Sequence, residues 1–272
     1  MTTRDPKSRS CLDELGRFNK QCWENLAQAN IQYSRPMLDL TPASARALVD
    51  VEGVMDDPAG KDVLCLAGGG GQQSAAYALL GARVTVVDLS ETQLERDQVA
   101  AKHYGVTIRT IQGDMRDLSA LPTDSFDIVY HAHSIVFVPD AGEVLDQVVR
   151  VLKPGGQYHV SWCHPTFQVF MCESWNGQGY QFNQPIIEGR EIVSADPHWT
   201  VDPGEGRPIV RVVGPREFTH TVPTIINGLI TRSFAILGVW ESGRGDPSAI
   251  PGTWQHLASF VPSSVTVWAR KN

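Results

Sequence analysis

The chain has no uninterrupted apolar run approaching the roughly 18 residues that a membrane-spanning helix requires, so no membrane span is expected. It also has no basic run. With 23 Lys and Arg against 30 Asp and Glu, the net charge is −7 and no large nucleic-acid footprint is expected. Met1 to Ser10 is polar and has no apolar leader core. The five cysteines, Cys11, Cys22, Cys65, Cys163 and Cys172, form no C-x-x-C pair. An odd number without an export signal reads as free thiols in a reducing cytoplasm, so a cytoplasmic protein is expected. Internal repeats and low-complexity tracts are missing as well. What remains is 272 residues, 42% apolar and 19% charged, which suits one globular domain or one domain with a substantial insertion.

The most informative stretch runs from Val63 to Gln73: an apolar segment, then Gly68-Gly69-Gly70-Gly71, then a helix start at Gln72 that lasts to Leu80. An apolar run bounded by glycine predicts a buried strand. Glycines let the backbone turn and come close to a ligand because no Cβ intervenes. Strand, glycine turn and helix form the nucleotide-cradling unit of an open α/β sheet. Arg83 to Asp88 is a second strand ending in an acid, placed to accept hydrogen bonds from ribose hydroxyls. Two ligand classes share this layout. A dinucleotide site wants a small residue where Ser74 stands, a near miss, and the other class is S-adenosylmethionine (SAM), which has no pyrophosphate.

Val63 to Gly71 resembles the glycine-rich first motif of class I SAM-dependent methyltransferases, with Cys65 where the family usually has an acid and Ala67 where it has its first glycine. Leu121 to Asp127 resembles the family's L-P-x-x-x-F-D entry to strand four, and Leu152-Lys153-Pro154-Gly155-Gly156 its L-K-P-G-G turn before strand five. The resemblance implies a doubly wound, seven-stranded Rossmann-like sheet, with the last strand, Val265 to Arg270, inserted antiparallel. It implies SAM as cofactor, bound by Ala67, Gly68, Gly69, Gly71, Gln73, Asp88, Leu89 and His131. Asp114 and Met115, after the third strand (Val106 to Gln112), resemble its adenine site. Residues 1–55 resemble its N-terminal helical cover, in which Tyr33 would close over the cofactor and Arg35 would pair with the carboxylate of SAM. For each of these there is a plainer reading, a packed tyrosine, a surface arginine or a capping aspartate.

His131 and His133 sit at the carboxyl end of the fourth strand, the edge that borders the ligand crevice. With His164, after strand five, they are the candidates for a general base, since imidazole titrates near neutral pH. H-x-H on a strand can also ligate a metal, but no third ligand stands at suitable spacing, so none is assigned. Residues 61–162 form the expected SAM-binding core. Residues 166–215, with Trp175, Tyr180, Phe182 and Trp199, are too long for a plain connection and are the expected insertion. Its aromatics would either hold an apolar or aromatic acceptor or form a small core of their own. Residues 216–272 complete the sheet.

The expected function is methyl transfer from SAM to a small-molecule acceptor by in-line displacement. Two other classes stay open: a SAM- or S-adenosylhomocysteine-binding protein without transfer activity, and a nicotinamide-dependent oxidoreductase. The sequence names neither the acceptor, the atom methylated, nor the oligomeric state.

Overall fold

A computed structural model of the chain describes residues 12–170, 174–204 and 206–272. Met1 to Ser10, Cys11 and Cys172 therefore lie outside the described residues. A seven-stranded sheet runs through the centre in the order β3-β2-β1-β4-β5-β9-β8. Its strands are β1 (Asp62–Leu66), β2 (Arg83–Asp88), β3 (Ile108–Gln112), β4 (Phe126–Ala132), β5 (Leu152–Cys163), β8 (Phe234–Ser242) and β9 (Ser264–Lys271). The first five pair in parallel, and β9 enters antiparallel between β5 and β8.

Helices cover both faces, as a parallel sheet requires. On one face α5 (Ala141–Val151) and α7 (Val222–Thr231) pack Val144, Leu145, Ile225 and Leu229 onto Val129, Val160 and Val267. On the other, α2 (Pro42–Val49), α3 (Gln73–Leu79) and α4 (Glu91–Tyr104) pack Val49, Tyr77 and Leu94 onto Cys65, Val86 and Trp268. The helix ends follow local chemistry. Thr41 caps α2 with Pro42 at its first position, Ser90 caps α4, and Gly105 closes α4 at φ 65°.

Lys153-Pro154-Gly155-Gly156 departs from the expected free turn. It is drawn into β5, where Leu152 pairs with Phe126 and a register shift before Ile128 absorbs the extra residues. Lys153 bonds Asp127 at 2.8 Å and Asp62 at 3.1 Å, at the amino ends of the strands and away from the ligand edge.

After β5 the chain leaves the sheet. It forms α6 (Pro165–Phe170) and a separate hairpin, β6 (His198–Val201) with β7 (Val210–Val213), before returning at α7. The N-terminal helix α1 (Glu14–Gln28) lies across the carboxyl edge of the sheet. Its Asn19 donates to the carbonyls of Phe137 and Arg216, and its Glu24 accepts the N–H groups that open α4. Trp23 of α1 meets Trp199 of the hairpin edge-on at 5.9 Å, so helix and hairpin form one roof. Among the described residues no helix is long and apolar enough to cross a membrane.

Candidate functional site

The site is built at the carboxyl ends of β1, β2 and β4. The turn after β1 opens on Ala67, held at φ 46° in the left-handed region that suits glycine. A Cβ on Gly69 would stand 2.7 Å from Cβ of Gln93, and one on Gly71 would stand 2.7 Å from the carbonyl of Arg96, so both positions need glycine for close approach. A Cβ on Gly68 would meet nothing closer than 3.7 Å, so this residue turns an open face to the crevice.

The loop's own N–H groups are answered from within the chain. Asp97, on the second turn of α4 and fully buried, accepts from Gly70 N at 3.2 Å and Gly71 N at 3.0 Å, and Ser74 Oγ bonds it too. Burial pushes its carboxyl up to about 7 despite these bonds, with the nearby Asp88 adding to the rise. In a dinucleotide site these amides would receive a pyrophosphate. Here a carboxylate already holds that place, which disfavours the nicotinamide alternative and suits a ligand without a diphosphate. Asp97 was not singled out in the sequence. Its signal was an acid on the buried side of an amphipathic helix, where a partner is required.

Asp88 closes β2 and is buried, with its carboxyl raised by desolvation. Its Oδ2 accepts from Gly69 N at 2.9 Å and its Oδ1 from Ser90 N at 2.9 Å, so strand end and loop are tied together. A carboxylate has about four lone-pair sites, which leaves capacity for two hydroxyl donors. This acceptor set fits the ribose of SAM. Leu89 follows, half-buried.

Asp114 is engaged by a residue the sequence reading passed over. Arg116, itself buried, bonds Asp114 at 2.6 Å and Asp13, the N-cap of α1, at 2.8 Å. Burial would lower the guanidinium, but the two carboxylates outweigh it and raise it. The adenine-side loop is thereby clamped to the roof helix. Met115 lies in the core beside Leu66 and Val87.

The cover residues divide. Tyr33 is exposed at the loop, and its carbonyl would stand 3.3 Å from a Cβ on Gly70. Arg35 points elsewhere. Its guanidinium donates to the carbonyls of Asn30, at 3.0 Å, and Asp202, fastening the cover to the end of β6. Gln72 donates to the carbonyls of Gln32 and Arg35, and Gln73, next to it, starts α3 half-buried.

The three histidines are not brought together. His131 is fully buried, its Nδ1 bonded to the Tyr158 hydroxyl at 2.9 Å, and desolvation lowers it to about 3, so it is a neutral residue beneath the crevice. His133 is exposed to water yet ringed by protein mass that lowers its pKa, as at the bottom of an open crevice. It holds φ 57°, a strained value that turns it out of β4. His164 faces the far edge, 3.2 Å from Glu241 on β8. Among the described residues no group of three or more His, Cys, Asp or Glu could hold a metal ion.

The insertion's aromatics divide: Trp199 joins Trp23 in the roof, and the others gather into a cluster of their own. Trp175, Tyr180 and Phe170 pack with His256 and Phe260 around a cavity of about 380 Å³, and the Tyr180 hydroxyl bonds His256 Nδ1 at 2.8 Å.

Residues 64–160 match the family model of a methyltransferase domain. An uncharacterized methyltransferase, YbaJ, of Bacillus subtilis is 34% identical over 187 residues, covering 68% of this chain and 70% of that protein. The ubiquinone biosynthesis O-methyltransferase of Pseudomonas savastanoi is 32% identical over 127 residues, covering 47% of this chain, and the match spans only 53% of that enzyme. Among solved structures, a SAM-dependent methyltransferase of Mesorhizobium loti shares the fold with a TM-score of 0.56, at 24% identity over 86% of this chain and all of that one.

Proposed function

We infer that this chain, which belongs to the class I SAM-dependent methyltransferases and takes SAM as its cofactor, transfers the methyl group to a small organic acceptor. SAM supplies an electrophilic methyl group on a sulfonium; the chain's own residues bind, orient and enclose. Asp88 would accept the ribose hydroxyls, and the open face of Gly68 would admit the ligand against the backbone. The roof of α1 and the β6–β7 hairpin would exclude water. Alignment of acceptor and methyl in an in-line displacement can contribute about 7–11 kcal/mol in favourable cases.

The observation that carries the reading is the glycine loop itself, held by the internal carboxylate of Asp97, with Asp88 beside it as the acceptor of hydroxyls. A small acceptor is supported by the roofed crevice and by the net charge of −7, which suits no polyanion. An oxygen acceptor is the reading that the name of the Pseudomonas relative favours. His133 is the exposed histidine after β4, and we assign it to positioning or proton transfer at the acceptor.

Calorimetric titration with SAM and S-adenosylhomocysteine, with NADH as control, tests the cofactor part. Micromolar binding of both sulfur ligands and none of NADH is expected, and Asp88→Ala should weaken SAM at least about 100-fold, since each hydrogen bond to a charged acceptor is worth about 1.5–3 kcal/mol. Release of S-adenosylhomocysteine with a set of phenols, catechols and arylamines tests the acceptor. His133→Ala should then lower turnover more than SAM affinity; full activity would remove His133 from the site.

A further inference from the structure

A second group of polar side chains faces the same end of the sheet and has no role in the cofactor half. Residues 215–220 run in extended form along the turn that follows β4. Phe218 N donates to the Val136 carbonyl at 2.7 Å, and His220 Nε2 meets the Val138 carbonyl at 2.9 Å. On an extended segment Glu217 and Thr219 project to the side opposite Phe218. Glu217 Oε2 accepts from Gln168 of α6 at 3.3 Å, and its charge is felt by the Cys163 thiol at the end of β5.

The group is unfinished. Gln168 and Thr219 are almost wholly buried, yet Gln168 Oε1 and Thr219 Oγ1 have no hydrogen-bond partner. A buried polar atom without a partner costs about 1–3 kcal/mol, so such atoms in one place point to a ligand that completes them. Burial also raises the Glu217 carboxyl. The neighbouring cation, Arg216, is committed to Glu191 at 2.6 Å and lies over the Phe218 ring.

We propose that Glu217, Gln168 and Thr219 form the polar end of the acceptor site, and that Glu217 takes the proton of a hydroxyl or N–H acceptor during methyl transfer. The proposal rests on the methyl-transfer reading above. Glu217 accepts the proton from the O–H or N–H bond. The freed pair on oxygen or nitrogen forms the bond to the methyl carbon. The carbon–sulfur bond breaks, its pair stays on sulfur, and neutral thioether and protonated Glu217 result. The set offers acceptors at Gln168 Oε1 and Glu217 with a hydroxyl at Thr219, and the cation next to it, Arg216, is already held by Glu191. It therefore selects ligands that bring donors, such as catechols, phenols or amines, and rejects carboxylates and phosphates.

The test uses the whole protein and Glu217→Gln, which keeps the Gln168 bond and removes the charge. An acid whose pKa is raised by folding lowers stability once pH exceeds its unfolded value. At pH 8 Glu217→Gln should therefore melt higher, by about 2–4 °C, while SAM affinity stays within about twofold of wild type. With catechol or an arylamine that the wild type methylates, kcat should fall at least about 100-fold. Gln168→Leu and Thr219→Val should raise KM several-fold with kcat largely kept. A Glu217→Gln protein that melts lower, or one that turns over like wild type, overturns the proposal. A wild type that binds SAM and methylates none of the set removes the small-molecule reading instead, and the melting shift still decides on Glu217.

Discussion

The cofactor half and the acceptor half of this crevice are built differently. The first comes mostly from one stretch, β1 to Arg116, joined by Asp13 of α1, and its charged groups answer one another: Asp88 with Gly69 and Ser90, Asp97 with Gly70, Gly71 and Ser74, Arg116 with Asp114 and Asp13, while Gln93 Oε1 beside Gly70 is left without a partner. The second is assembled from four separated places, the turn after β4, the end of β5, α6 and residues 215–220, and leaves buried acceptors unmet. The difference teaches that the chain is preorganised where its ligand is invariant. On the proposed reading, the acceptor supplies the partners that the second half lacks.

The comparison can be broken most forcefully at Arg116. Arg116→Ala leaves Asp114 uncompensated near the core and releases Asp13, so a loss of about 3 kcal/mol is expected in a chemical denaturation. A loss below 1 kcal/mol would mean that the clamp between roof and adenine loop carries little.

Asp97 sharpens it next. Its carboxyl titrates near 7 in the fold and near 3.8 when free. Between those values the folded chain holds a proton that the unfolded chain releases, so stability should fall as pH rises from about 4 to about 7 and level off above. Asp97→Asn should flatten that slope in melting curves across the range, although it also disturbs one of the loop's two amides. A slope unchanged in the variant would place the titration elsewhere.

Ala67 predicts a smaller change of opposite sign. Its left-handed conformation costs about 1 kcal/mol that glycine avoids, so Ala67→Gly should raise the melting temperature by about 2–4 °C. Lower stability would show that the alanine methyl packs better than the turn is strained. The smallest effect belongs to Arg35→Ala. Because its guanidinium is spent on the carbonyls of Asn30 and Asp202, SAM affinity in a calorimetric titration should change less than about threefold. A larger loss would restore Arg35 to the cofactor.

Much of the cofactor half was legible because its logic is local. The strand, glycines, helix and terminal acid of residues 63–88 lie in sequence as they lie in space, and the antiparallel last strand was implied by the family resemblance. Even there the reading missed Asp97 and Arg116, whose meaning depends on what a helix face or a loop meets after folding. Lys153 to Gly156 reads as a turn in sequence but is captured by pairing with β4. The acceptor half was hardly legible at all. Gln168 and Glu217 are far apart in the chain, and neither has a motif around it. His131, His133 and His164 look alike in sequence, and only packing separates a buried histidine on Tyr158 from a crevice histidine and one beside Glu241.

The internal carboxylate of the glycine loop also bears on time. Once α4 has packed, Asp97 holds Gly70 and Gly71 in place whether or not a cofactor is present. The entropy of ordering the loop is thus lost once, when the chain folds, rather than at every catalytic cycle. The cradle need not reform between cycles, so the spent nucleoside leaves behind a seat already shaped for the next.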